Sequence, residues 1–247
     1  MASDEGCAQI GLAHGFEVFM DLLSLKNPYP AVEKGSGATY GGNQGSSASR
    51  AVRRCGCGLV SCLDLLLYIS AGHTGWHVRI LDQIQDQRPV PPAAYDALLQ
   101  QLCRRYFPIF PPIGLNALVM AAGLNRIFRA EHIPLRARWS VPKEQFWPSI
   151  EAMLAADLPV ILAIGPNFPF LWQKNKCGLY CETPENGMRR ACATKAHYVN
   201  ITGMNAEWMR ISSWGRMYYI RREEYADYVQ QHSNYLLSNI LLLRSFA

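Results

Sequence analysis

The sequence of 247 residues has no uninterrupted apolar run of eighteen or more. No membrane-spanning helix is therefore predicted, and no membrane insertion is expected. The opening residues, Met-Ala-Ser-Asp-Glu-Gly, are acidic and lack an apolar stretch. A secretory signal is not expected, and a cytoplasmic location is. There is no block of charge of one sign. The 24 basic and 19 acidic residues leave a net charge of +5, with the arginines scattered in short groups such as Arg104-Arg105 and Arg221-Arg222. Without a concentrated basic patch or a nucleic-acid motif, a nucleic-acid partner is not expected. No internal repeat is present, which excludes a solenoid. A chain of this size can bury a core without disulfides, so its eight cysteines read as reduced thiols.

What is present begins with Arg54-Cys55-Gly56-Cys57-Gly58-Leu59-Val60-Ser61-Cys62-Leu63. A thiol sits between two glycines, and fourteen mostly apolar residues follow, 59–72. That run is long enough for about four helical turns. Gly56 and Gly58 let the backbone turn and let a second molecule approach closely. Cys57 is placed at the N-terminus of a buried helix, where free N–H groups and the helix dipole lower a thiol's pKa. The competing reading is a small buried hydrophobe. Arg50, Arg53 and Arg54 precede the thiol, either holding a thiolate or simply facing water.

A base lies downstream, in Lys195-Ala196-His197-Tyr198-Val199-Asn200-Ile201-Thr202-Gly203. Alternating β-branched and polar residues predict a strand, and residues 207–214 predict the return strand. A hairpin centred between Met204 and Asn205 sets His197 opposite Ser212. Cross-strand Cβ atoms are about 5 Å apart, so Ser212 would orient the imidazole. The pairing depends on the register, since one slip changes the face. An ordinary strand histidine is the alternative.

A Cys at a helix start, then a late strand His, then Ser-Trp-Gly resembles the papain-like cysteine peptidase superfamily. The counterparts of its motifs are Cys55-Gly56-Cys57, His197-Tyr198-Val199 and Ser212-Ser213-Trp214-Gly215. The segment from Cys57 to Leu63 is similar to the nucleophile helix of the bacteriocin-processing, double-glycine-leader branch. The resemblance spans about residues 40–219. It implies a Cys57–His197 pair, an oxyanion-hole Gln and a Trp214 that shields the histidine from water. Three departures stand out. Ser212 replaces the superfamily's Asn or Asp. Ala51 occupies the usual Gln position, the nearest upstream Gln being Gln44, thirteen residues before Cys57, with Asn43 as the next candidate donor. The Cys55–Cys57 spacing is one residue short.

The expected architecture is α+β: one papain-like domain with a mainly helical lobe over about 1–156, including an N-terminal loop, and a β-sheet lobe over about 157–247. Helices are predicted over 16–25, 57–71, 93–106, 116–124, 141–156 and 223–231. Strands are predicted over 158–165, 196–203, 207–213, 216–220 and 239–244. Residues 27–49 read as a long loop. The aromatic-rich loop 165–172, with Asn167, is a candidate grip for substrate together with Asn43, Gly58 and Trp214.

Three functions follow as expectations. The first is a thiol-dependent hydrolase of peptide, amide or isopeptide bonds in a peptide or protein substrate, needing no cofactor and no metal. The second is a non-catalytic papain-like interaction module. The third is a zinc-stabilised domain built on Cys177, Cys181, Cys192 and His197, in a stretch that reads as loop-rich and whose spacing lacks the tight pairs usual in structural zinc sites. Oligomeric state does not follow from the sequence.

Overall fold

The computed structural model describes residues 22–84, 87–185 and 187–246. The predicted helix over 16–25 falls mostly outside them. Its last residues instead form a short strand, β1 (Leu23–Ser24), paired to the end of a long central strand. The predicted loop 27–49 holds a small hairpin, β2 (Glu33–Lys34) and β3 (Gly37–Ala38), and a 3-10 turn, Gln44–Ser46. A short helix, α1 (Arg50–Cys55), is capped by Ser49, whose side chain accepts from the Val52 N–H.

Next comes α2 (Cys57–Gly72), the helix predicted from its apolar run. Eleven of its sixteen residues are buried, Asp64 among them. A helix apolar nearly all round must be surrounded by protein. Here it packs against α1, α3 (Pro92–Arg105), α4 (Ala117–Ala130) and the sheet. Pro92 stands in the first turn of α3, where no N–H is needed, and Asn116 caps α4 through Leu118 N–H at 2.8 Å. The helix α4 runs six residues past its predicted end because Gly123 packs against Phe107 rather than ending it.

The remaining elements are β4 (Leu135–Trp139), α5 (Phe146–Ala155), β5 (Val160–Ile164), β6 (Cys177–Glu182), β7 (Met188–Thr194), β8 (His197–Met204), β9 (Trp208–Ser213), β10 (Arg216–Arg221), α6 (Arg222–His232) and β11 (Ile240–Ser245). All pairings in the nine-stranded sheet are antiparallel, in the order β4-β11-β5-β8-β9-β10-β6-β7, with β1 also on β8. The chain is α+β with a large antiparallel sheet. The division at about residue 156 is not clean, since β1 and β4 come from the predicted helical half and join the sheet. No helix among the described residues is long and apolar enough to cross a membrane.

The hairpin of β8 and β9 differs from its prediction. Met204 pairs with Met209, so the turn is centred between Ala206 and Glu207, two residues later than predicted. Asn205 causes this. Its side chain accepts from the N–H groups of Glu207 (2.9 Å) and Trp208 (2.8 Å), which is the local turn chemistry of an Asx residue. A bulge between Ile201 and Gly203 then sets Asn200, not His197, opposite Ser212.

Candidate active site

The N-terminus of α2, the start of β8 and the turn from β9 to β10 meet at one small cavity. Cys57, His197, Ser212, Ser213, Trp214 and Gln44 all line it, so four elements far apart in sequence supply one wall each. Cys57 is half-buried at the first residue of α2. The N–H groups of Tyr198 and Gly58 point at its sulfur. His197 is 8 % exposed and opens β8, where it pairs with Ile164.

The histidine is oriented by Ser213, not by Ser212. His197 Nε2 lies 2.8 Å from Ser213 Oγ. Strand alternation explains the exchange. Ser212 shares a face with its partner Asn200, and His197, three residues from Asn200, points to the other face with Ser213. Ser212 Oγ instead donates to the Tyr40 carbonyl at 2.8 Å.

Ser213 pairs with Arg216, leaving Trp214 and Gly215 as a two-residue hairpin turn. Both have positive φ, 49° and 73°, as a type I′ turn requires. Glycine adopts this freely. Tryptophan does so at a cost, and such strain persists only where the surroundings impose it. The result is an indole stacked on the His197 ring, centroids 4.4 Å apart and planes 19° apart.

Burial governs the charge states. It pushes the Cys57 thiol above its ordinary value, against the pull of the Tyr198 and Gly58 N–H groups. It pulls His197 down to about 4. The resting pair is therefore neutral thiol and neutral imidazole. This corrects the expectation of a thiol lowered by the helix terminus: desolvation outweighs the N–H groups. Arg53 does not serve the thiol, because its guanidinium donates to the carbonyls of Ser47 (2.7 Å) and Ala48 (2.8 Å).

Gln44 lines the cavity from the turn before α1, and its Nε2 donates to Arg53 O at 3.1 Å. A carboxamide carries two N–H donors, so one remains. The substrate-binding assignments fare differently. Asn43 caps its own turn by accepting from Gly45 N–H at 2.8 Å and does not line the cavity. Gly58 faces Met120, Tyr198 and Leu115, a packing contact with no room for substrate. Asn167 is fully buried and ties its loop to Asn175 O and His232 O, so it is not a substrate contact.

The zinc reading fails on placement. Cys177 and Cys181 lie on β6 and Cys192 on β7, where the sequence suggested a loop. Among the described residues, no three His, Cys, Asp or Glu side chains gather as a metal site. Seven cysteines are described and all are free thiols.

Asp64 escaped the sequence reading. It lies seven residues after Cys57 on α2, two turns along the same face, and lines the same cavity. Its carboxylate accepts from Gly42 N–H at 2.9 Å and from Tyr95 O–H at 2.7 Å. Burial raises its pKa to about 7 against those two hydrogen bonds. Together Asp64 and Ser212 fasten the backbone of residues 40–42, two residues before Gln44. Gly41 passes between them with φ +76°, where a side chain would strike Ser212 Oγ and Asp64 Oδ2. The signal was in the sequence: Asp64 is the only charged residue between Cys57 and Gly72.

The two serines make a contrast that can be measured. If the site hydrolyses amides, Ser213→Ala, which removes a neutral hydrogen bond to the imidazole, is expected to lower kcat about fivefold with KM little changed. Ser213→Thr should restore it. Ser212→Ala is expected to leave the acid limb of the pH–rate profile in place, whereas Ser213→Ala should move it. An acid limb that follows Ser212 would return the orienting role to that residue.

No protein-family model, no curated protein and no solved structure matches this chain.

Proposed function

We propose that this chain is a thiol-dependent hydrolase of peptide or amide bonds with a papain-like arrangement of helix and sheet. The observation that carries the reading is the shared cavity of Cys57, His197 and Gln44, with His197 held by Ser213 and covered by Trp214. With Nε2 engaged by Ser213, Nδ1 is left to take the Cys57 proton. The sulfur attacks the substrate carbonyl carbon, and the oxyanion is received by the Cys57 backbone N–H and the free Gln44 N–H. His197 returns its proton to the leaving nitrogen as the C–N bond breaks. Water, deprotonated by His197, then attacks the thioester carbonyl, the C–S bond breaks, and the departing sulfur takes the proton back from His197. A histidine titrating at about 4 is a neutral base throughout the neutral range, which suits this sequence of steps.

A second reading, a non-catalytic interaction module of the same fold, is favoured by the burial that keeps Cys57 a thiol. Acyl-enzyme trapping separates the two. The protein is mixed with a panel of activated amides and esters, quenched in acid and mapped by mass spectrometry. The hydrolase reading expects an acyl mass on the peptide holding Cys57, absent in Cys57→Ala. Acylation of other thiols alone, or of none across the panel, supports the interaction module.

A further inference from the structure

Behind the thiol, the cavity wall turns into hydrogen-bond acceptors. Asn200 is 1 % exposed. Its Nδ2 donates to Tyr29 Oη at 2.6 Å and to Ser61 O at 3.0 Å. Those two bonds fix the amide's orientation, because a flip would set its oxygen against the Ser61 carbonyl. Asn200 Oδ1 then has no hydrogen-bond partner among the described residues. Asp64, also 1 % exposed, lines the same cavity. Neutral donors satisfy part of its carboxylate, and among the described residues no basic side chain figures in its environment. Asn200 and Ser212 hydrogen-bond the Tyr29 hydroxyl and Asp64 acts on it through space, while Ser212 Oγ and Asp64 Oδ2 flank Gly41 and all three residues line the one cavity. Ser212 Oγ donates to Tyr40 O and is also hydrogen-bonded to the Tyr29 hydroxyl.

The space is small. The volume open to a water-sized guest is about 10 Å³, room for one. The guest must donate in several directions to satisfy a carbonyl oxygen and a carboxylate. A neutral water meets the first need, but above pH 7, where Asp64 is ionised, it leaves a buried carboxylate without a counter-charge. Among the described residues His197 is the only basic group in the cavity wall, and it is on the other face of β8 from Asn200.

We propose that this cavity seats a single ammonium ion, held by the Asp64 carboxylate and Asn200 Oδ1. Occupancy would hold Asp64 ionised, and with it the Gly42 N–H and the segment that carries Gln44. The proposal stands apart from the hydrolase reading, since it needs Asp64 and Asn200 and not the sulfur.

Thermal unfolding of the full chain at pH 8 and constant ionic strength tests it, with ammonium chloride titrated against tetramethylammonium chloride. Ammonium is expected to raise the melting temperature by about 2 °C or more and to saturate. Tetramethylammonium, too large and without N–H groups, should not. Cys57→Ala should keep the response and Asp64→Asn should lose it. Equal responses to the two salts, an equal rise with potassium chloride, or a response that persists in Asp64→Asn would overturn the proposal. The comparison of salts on the wild type decides even if Asp64→Asn fails to fold.

Discussion

Between pH 4 and 7 the stability changes due to Asp64 and His197 are expected to oppose each other nearly in full, and single substitutions should expose them. Asp64 titrates at about 7 in the fold against an ordinary 3.8. The folded state therefore holds its proton more tightly. The stability this confers is present below pH 3.8 and is lost as pH rises through 7, about 4 kcal/mol in all. His197 titrates at about 4 against an ordinary 6.5. Its contribution runs the other way: present above pH 6.5 and lost as pH falls through 4, about 3 kcal/mol. Asp64→Asn removes the first, so the variant should gain about 3 kcal/mol from pH 4 to 7 relative to the remaining titrations. His197→Gln removes the second, so that variant should lose about 4 kcal/mol over the same range. Urea unfolding at each pH provides the comparison. Parallel curves for the two variants would mean that neither group carries the burial assigned to it.

How far the sequence revealed this arrangement depended on whether a signal was local. The helix α2 was legible because a run apolar on every side has only the core to go to. The meander β8–β9–β10 was legible from its alternation. The orientation of His197 was not, because it rests on two features that alternation does not encode: the Asx turn at Asn205 and the bulge after Ile201. Together they moved the register by enough to exchange Ser212 for Ser213. The strand pair β6–β7 was hidden by cysteine spacing that suggested a metal loop, and by Arg189 and Arg190, which give β7 the polar look of an exposed edge. The strand β4 was hidden by its position among helices, although Leu135, Ala137 and the intervening arginines do alternate. Cys57 and His197, singled out because the chemistry names the residue types, do line one cavity. The neutrality of the pair was not legible, because it is set by desolvation from surfaces distant in sequence. Asp64 and Asn200 were missed for the same reason: each matters through what the fold packs around it.

The central claim is that Cys57 and His197 act as one unit, and the pH dependence of Cys57 alkylation tests it most directly. An isolated thiol reacts through its thiolate, so below its pKa its rate drops about tenfold for each pH unit. A coupled thiol–imidazole pair behaves differently. The small share of thiolate–imidazolium form is set by proton exchange inside the pair and does not change with pH between the two apparent pKa values. With the histidine at about 4 and the thiol raised by burial, that share exceeds the plain thiolate near neutrality only where the imidazolium, once formed, draws the thiol down, so a plateau there is the signature of the pair. Iodoacetamide labelling followed by peptide mapping would follow the rate at Cys57 from pH 3 to 9. The account predicts that Cys57 is the fastest of the eight cysteines near neutrality, with a plateau that ends near pH 4. In His197→Ala the plateau should collapse to the tenfold-per-unit slope. A wild-type Cys57 that already shows that slope, or keeps its rate without His197, would contradict the pairing.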